Sequence, residues 1–228
     1  MKGTVLLSAA YKTARSHKRS CRFTIPHNNG GLYIMDENDN SDDLRLIPPH
    51  GGYENLLAFQ MAEIVFDGTI RFCERFISRR SRTWDQMEQA ARSGKQNIAE
   101  GSQVSGTSKK MELKLVGVAR ASLEELLRDY NDFVRTKKLF LWDKDHRNAK
   151  KIRALCYTPN RSYETYRVCI EECSAEIATN TMICLINQAN YLLDQLLRAL
   201  EKDILKNGGF TERLYRIRSA IRNMKKKR

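Results

Sequence analysis

The sequence predicts an all-α protein: an up-down-up-down four-helix bundle with a short helical insertion before the last long helix and a basic C-terminal helical tail. Apolar residues recur at intervals of three and four along four long segments, which indicates amphipathic helices buried against one another. Short polar connections join successive segments, and such connections make neighbouring helices antiparallel. After Pro49 only Pro159 interrupts the helical pattern.

The clearest helical hairpin is predicted in residues 84–134. Two apolar stripes flank a polar break at residues 101–108, where a glycine would end one helix and Thr107 or Ser108 would cap the next. Glycine is unfavourable inside a helix, so Gly94 indicates close packing of a neighbour. The stripe before the break comprises Met87, Ala90, Ala91, Gly94, Ile98 and Ala99; the stripe after it comprises Met111, Leu115, Val118, Ala119, Ser122 and Leu126, widened by Leu123, Leu127, Tyr130 and Val134.

The long helices are expected over residues 54–80, 83–103, 108–138 and 175–206. Between the last two, Asp143 or Asp145 would cap a short helix that ends at Leu155, and a second short helix would follow over residues 162–173. A glycine pair at residues 208–209 would end the last long helix, and Thr211 would cap a small basic helix. The expected core includes Met61, Ile64, Phe72, Met87, Ile98, Leu115, Leu126, Leu193 and Leu196.

These elements divide the chain into three parts. Residues 1–47 lack a sustained period and are rich in polar residues, so we expect a disordered extension, with Met35 as an alternative start and residues 1–34 dispensable. Residues 48–207 form the bundle, with the inserted short helices at about residues 139–173. Residues 208–228 form a basic suffix.

Charge is concentrated at the ends of the chain, whose formal net charge is +13. Residues 48–205 are nearly balanced, with 24 basic and 21 acidic residues, whereas residues 206–228 hold nine basic residues and one acid. Basic ends suit a polyanionic partner, although they also occur as solvated tails. No apolar run approaches the length of a membrane span, so we expect a cytoplasmic protein without a membrane partner, whose six cysteines are free thiols.

Two basic sets are the predicted nucleic-acid site. Cations at the start of a helix oppose its dipole, so those at the start of the third long helix are not placed for helix stability. The tail set interleaves with Phe210 and Tyr215, whose rings could stack on bases. The first set is Lys109, Lys110 and Lys114; the second is Arg213, Tyr215, Arg216, Arg218, Arg222, Lys225, Lys226, Lys227 and Arg228.

No catalytic residue, metal ligand or cofactor is predicted. The break between Gly101 and Gly106 lacks the lysine and the preceding strand of a phosphate loop. No histidine follows a glutamate at di-iron spacing, so an oxidase is rejected. A zinc site on Cys169, Cys173 and Cys184 is the weaker alternative to free thiols, because no Cys-x-x-Cys pair is present.

Asn97, Glu100 and Gly101 form a structural motif, in which we expect the two polar side chains to bond another helix or to cap the break. The run from Asn97 to Ser102, followed by a polar break and Lys-Met-Glu-Leu at residues 110–113, resembles the bacterial four-helix bundle proteins encoded by intervening sequences in large-subunit ribosomal RNA genes. The same superfamily includes the accessory protein of diversity-generating retroelements. Residues 119–126 and 208–216 extend the resemblance, which covers residues 46–218.

The resemblance implies a homopentameric ring of bundles without catalytic residues, associated with ribosomal RNA or with a reverse transcriptase. Two features depart from the family: Lys95 stands where many members have proline, and the connection over residues 139–174 is longer, which adds an outer layer. We therefore expect a non-enzymatic homo-oligomer that binds nucleic acid, in particular RNA. The alternative is a protein-interaction adaptor in a retroelement or ribonucleoprotein complex.

Overall fold

The computed structural model describes residues 45–158 and 160–226, and within them every regular element is a helix. The all-α class predicted from the apolar periodicity is therefore confirmed. The predicted extension falls largely on residues 1–44, which lie outside the described residues, as do Lys227 and Arg228. The α-helices are α1 (Leu57–Phe76), α2 (Arg82–Val104), α3 (Lys109–Thr136), α4 (Arg147–Leu155), α5 (Arg167–Glu171), α6 (Ala175–Asn207) and α7 (Phe210–Lys226).

The four long helices contact one another in a closed cycle: α1 packs on α2 and α6, and α3 packs on the same two helices. Polar pairs show that α3 and α6 are antiparallel. Lys109 at the start of α3 pairs with Asp203 near the end of α6, and Arg120 further along α3 pairs with Asp194. The predicted insertion forms a layer on the outside of this cycle, because α4 and α5 both pack on α6.

Serine side chains begin three of the long helices. Ser108 accepts a hydrogen bond from the Met111 N–H at 3.1 Å, as its position after the polar break predicts, and Ser81 and Ser174 cap α2 and α6 in the same way. Gly208 ends α6 with a φ of 73° while its N–H donates to the Ile204 carbonyl at 2.8 Å. The left-handed backbone explains glycine at this end.

Several shorter features differ from the sequence prediction. His146, rather than Asp143 or Asp145, caps α4, because its ring nitrogen accepts from the Asn148 N–H. Thr211 does not cap the basic helix, since α7 already begins at Phe210. The single helix expected over residues 162–173 is divided into a 3-10 turn (Tyr163–Thr165) and α5.

The core differs from prediction on α3, while the other predicted positions are buried except Leu196, which is half-buried. The buried side chains of α3 include Val116, Ala119 and Leu123, whereas Leu115 is half-buried, and Met111 and Val118 are 43% and 41% exposed. The apolar stripe of α3 is wide enough for either of two neighbouring rows of side chains to enter the core. Packing against both α2 and α6 selects the face that points between them.

Small residues allow α2 and α3 to approach closely. A Cβ atom on Gly94 would lie 2.5 Å from Leu123 Cδ2, which confirms the reason predicted for this glycine. The predicted end of the second helix at residue 103 agrees with the observed end at Val104, and Gly101 is buried inside α2. A Cβ atom there would lie 3.3 Å from the Glu112 carbonyl oxygen, so Gly101 is a packing residue.

Candidate nucleic-acid interface

The exposed face of α7 carries cations and one aromatic ring. Tyr215, Arg218, Arg222 and Lys225 follow one another at intervals of three and four, so they share one side of the helix. Tyr215 is 73% exposed, and Lys226 lies beside the stripe at its end. Among the described residues, these cations form no ion pair. The stripe therefore presents uncompensated positive charge around an aromatic surface.

Other tail residues attach α7 to the body instead. The Arg216 Nη2 donates to the Asn207 carbonyl at 2.7 Å, which ties the helix to the end of α6. Ile217 is 8% exposed, and Phe210 and Arg213 are half-buried on the same inner side. Phe210 is thus a packing residue, and Tyr215 is the ring of the tail that faces solvent.

The basic set at the start of α3 also divides in two. Lys109 Nζ lies 3.0 Å from a Glu112 carboxylate oxygen and 3.6 Å from Asp203, so its charge is already paired. Burial raises the pKa of the Glu112 carboxyl, and the ammonium of Lys109 partly offsets this shift. Lys109 therefore joins α3 to α6, and its paired charge is less available to an anion than an unpaired one. Lys110 and Lys114 are exposed.

The tertiary structure brings the first basic set and the start of α7 to the same end of the long helices. The Lys109–Asp203 pair places the start of α3 beside the last turns of α6, and α7 begins three residues after α6 ends. Lys202 and Lys206 are exposed on those last turns. Sequence reasoning missed these two lysines, because only the antiparallel contact of α3 and α6 places them beside the predicted residues.

The Asn97–Gly101 motif has a packing role different from the one expected. The Asn97 Nδ2 donates within its own helix, to the carbonyl and the hydroxyl of Ser93 at 2.8 and 3.0 Å. Ser93 in turn bonds Ser122 of α3 at 3.0 Å, so Asn97 is linked to the neighbouring helix through this serine. Glu100 is exposed and neither crosses to another helix nor caps the break.

An open groove of about 970 Å³ lies between α1 and the inserted layer. Two of its cations pair with carboxylates of the lining: Arg71 with Glu74 at 2.8 Å, and Arg167 with Glu164 at 3.0 Å. The third, Arg75, donates to backbone carbonyls of the inserted layer. Tyr163 donates to the Glu171 carboxylate at 2.7 Å. Because these cations are already ion-paired or hydrogen-bonded, the groove is a poorer anion site than the α7 stripe.

The alternative zinc site is not formed in the described part of the chain, where no group of three His, Cys, Asp or Glu side chains could hold a metal ion. Burial raises the pKa of the Cys169 thiol and raises that of Cys184 to about 11, which disfavours the thiolates that zinc requires. None of the described helices combines the length and the apolar character needed to cross a membrane.

Comparison of the chain with known proteins finds no match. No family model matches the chain, and neither a curated protein nor a solved structure matches it. The resemblance to ribosomal RNA intervening-sequence proteins therefore stays a prediction. The candidate interface rests on the exposure and charge of α7 and of the helix ends beside it.

Proposed function

We propose that this protein is a non-enzymatic, homo-oligomeric four-helix bundle of up-down-up-down topology that binds RNA in the cytoplasm. The observation that carries the proposal is the α7 stripe, in which Tyr215 and its neighbouring cations face solvent without ion pairs among the described residues. Holding several unpaired cations close together is unfavourable unless an anion binds them. Lys110 and Lys114 are further exposed cations, at the end of the long helices where α7 begins.

An aromatic ring among cations favours single-stranded RNA over duplex. Each phosphate that a cation neutralises releases a counterion, which makes affinity fall with salt concentration. Phosphate contacts carry no sequence information, so sequence preference is expected to be weak. Stacking of an unpaired base on Tyr215 requires an open base face, which RNA loops offer and duplexes do not.

Self-association is supported by apolar side chains left outside the core. Met111 and Val118 are 43% and 41% exposed on the outer face of α3, beside the half-buried Leu115. Such a patch is suited to a second copy of the chain. The number of five subunits comes from the family resemblance alone. Light scattering at micromolar concentration should return a multiple of the monomer mass, and a monomer mass would refute assembly.

The test of RNA binding compares two pairs of arginines. Arg218→Ser with Arg222→Ser removes two cations of the stripe, while Arg92→Ser with Arg128→Ser removes two exposed cations from α2 and α3. Anisotropy of a fluorescent RNA stem-loop is measured at several salt concentrations. If both arginines contact phosphates, the stripe variant should reduce the log–log salt slope by about 1.4, from roughly 0.7 per contact on a single strand.

The control pair should leave both the affinity and the slope nearly unchanged. Tyr215→Ser should weaken binding to the stem-loop more than binding to a blunt duplex, because only the loop offers an unstacked base. If the stripe and control variants lose the same RNA affinity, the loss reflects the lower net charge of the protein and not a site on α7. Unchanged binding in the stripe variant would refute α7 as the RNA site.

The apolar side of α7 favours the adaptor as a second candidate. Ile221 and Met224 are 43% and 55% exposed, so the distal half of α7 offers apolar surface as well as charge. An amphipathic helix of this kind can dock in a groove of another protein, such as a reverse transcriptase in a retroelement complex. If purified protein alone fails to bind RNA, the adaptor replaces RNA binding as the proposed function.

A further inference from the structure

A second basic region lies in the inserted layer. Residues 139–153 contain five Lys/Arg and two Asp, although residues 48–205 as a whole are nearly balanced. Ala149 and Ile152 of α4 are buried towards α6, which leaves Arg147, Lys150 and Lys151 on the outer face. The first turn of α4 holds no acidic residue. Cations there oppose the helix dipole, so they are not placed to stabilise α4.

Two exposed aromatic rings stand at the ends of this basic face. Phe140, in the loop before α4, is 59% exposed, and Tyr157, just after α4, is 88% exposed. Single exposed apolar residues need no explanation. Here, however, both rings flank the same helix, and the exposed cations of α4 lie between them in the sequence. The distance along α4 between its ends is about 14 Å at 1.5 Å per residue.

The loop that carries Phe140 is held by a buried amide. Asn180 of α6 is 1% exposed, and its Nδ2 donates to the Phe140 carbonyl at 2.8 Å. The Trp142 N–H donates to the Asn180 Oδ1 at 2.8 Å, and the Trp142 ring stacks on His146 with centroids 5.0 Å apart. These contacts fix the backbone on both sides of Leu141. Phe140 is therefore presented to solvent by a rigid loop.

Most cations on this face are free to bind an anion. Lys150 pairs with Asp145 at 3.1 Å, but both side chains are more than half exposed, so the pair is weak. In the part of the chain that the structure describes, Arg147 and Lys151 form no ion pair, and the Lys144 side chain forms none either. The surface thus offers three unpaired cations between two rings.

We propose that the outer face of α4, with Phe140 and Tyr157 at its ends, is a second site that binds single-stranded nucleic acid. Arg147 and Lys151 bind phosphates, and the two rings stack on bases. Asn180, which holds this loop, lies 27 residues before Asn207, where α6 ends and leads into α7. That separation is about 40 Å along the helix. The site is distinct from α7, and its existence does not depend on RNA binding by α7.

Photo-crosslinking on the full-length protein locates the bound strand. A short oligouridylate with 4-thiouridine is irradiated with the protein, and the modified peptides are identified by mass spectrometry. We expect crosslinks to peptides that contain Phe140 or Tyr157. Crosslinks to Tyr215 alone would overturn the second site and leave the α7 proposal intact. Crosslinks to Phe140 or Tyr157 alone would support the second site and overturn the α7 proposal.

Equilibrium binding of the same oligonucleotide provides a second readout. Arg147→Ser with Lys151→Ser in the full chain should weaken binding about tenfold beyond the control Arg92→Ser with Arg128→Ser. Phe140→Ser should weaken binding by roughly five- to tenfold, because base stacking on aromatic rings contributes appreciably to affinity. All substituted side chains are exposed, and thermal melting confirms that the variants remain folded.

Unchanged affinity in both the arginine–lysine and the Phe140→Ser variants would overturn the proposal. So would tight binding of a polyglutamate peptide that the oligonucleotide cannot displace, because the face would then serve an acidic protein. If oligonucleotide binding responds to the α4 variants but not to Arg218→Ser with Arg222→Ser, the second site is supported and the proposed function of α7 fails.

Discussion

Close packing of α2 on α3 makes Gly94 a sharp test of the structure. In Gly94→Ala, the added Cβ would lie 2.5 Å from Leu123 Cδ2 and 2.7 Å from Leu123 Cγ. Leu123 has no exposed surface, so it cannot move aside into solvent. Alanine contributes about 1 kcal/mol of helix propensity over glycine. Overpacking of a tight core costs up to about 3 kcal/mol, which leaves a net loss of roughly 2 kcal/mol.

Gly117 of α3 is the matched control, because a Cβ atom there would meet nothing within 4 Å. Gly117→Ala should therefore stabilise the protein by about 1 kcal/mol through helix propensity alone. For a domain of this size, 1 kcal/mol shifts the melting temperature by about 2–4 °C. Gly94→Ala should melt roughly 4–8 °C below the parent protein, and Gly117→Ala should melt a few degrees above it.

Calorimetry and urea unfolding measure the stability of the parent protein, Gly94→Ala and Gly117→Ala, and the comparison holds if the urea m-value stays constant. Opposite signs for the two substitutions are the expected result. If Gly94→Ala is as stabilising as Gly117→Ala, α2 and α3 are further apart than described, and the packing argument is refuted.

Three further substitutions or conditions test other parts of the core. Leu126→Ala should cost about 2–5 kcal/mol in urea unfolding, because Leu126 has no exposed surface; a loss below 1 kcal/mol would contradict its burial. Tyr130→Phe should lower the free energy of unfolding by about 1 kcal/mol, since the Tyr130 hydroxyl donates to Thr69 Oγ1 at 3.2 Å inside the core. An unchanged stability would show that this hydrogen bond does not stabilise the fold. Burial raises the pKa of the Cys73 thiol to about 12, so the unfolded chain releases this proton at lower pH than the folded one. Stability present below about pH 9 should therefore fall as the pH rises towards 12, and Cys73→Ala should flatten that decline.

Sequence patterns were informative wherever one local cause determines the structure. A hydroxyl cap at Thr107 or Ser108 and a glycine end at residues 208–209 could be predicted because both are local devices, and the structure has Ser108 and Gly208 at these ends. Patterns failed where two local choices were nearly equal. Asp143, Asp145 and His146 all stand near the start of α4, and only the folded loop selects His146 as the cap. Likewise, Leu115 and Val116 both fit an apolar stripe on α3.

The candidate interface shows the same division. Charge counting identified the basic tail, and helical spacing places Tyr215 with Arg218 on one face. Sequence reasoning could not separate Lys109 from Lys110, because one of the two partners of Lys109, Asp203, is 94 positions away in the chain. Sequence reasoning also missed the surface of α4, because the nearly balanced charge of residues 48–205 conceals the local excess of cations there.

The sequence by itself determined the helical class, the positions of the long helices and the excess of positive charge near the end of the chain. Each of these follows from residues within one or two turns of each other, through periodicity, capping and composition. Only the tertiary structure decided which side chains are available. Packing half-buries Phe210 and an ion pair engages Lys109, while folding leaves Phe140 and Tyr157 exposed to solvent.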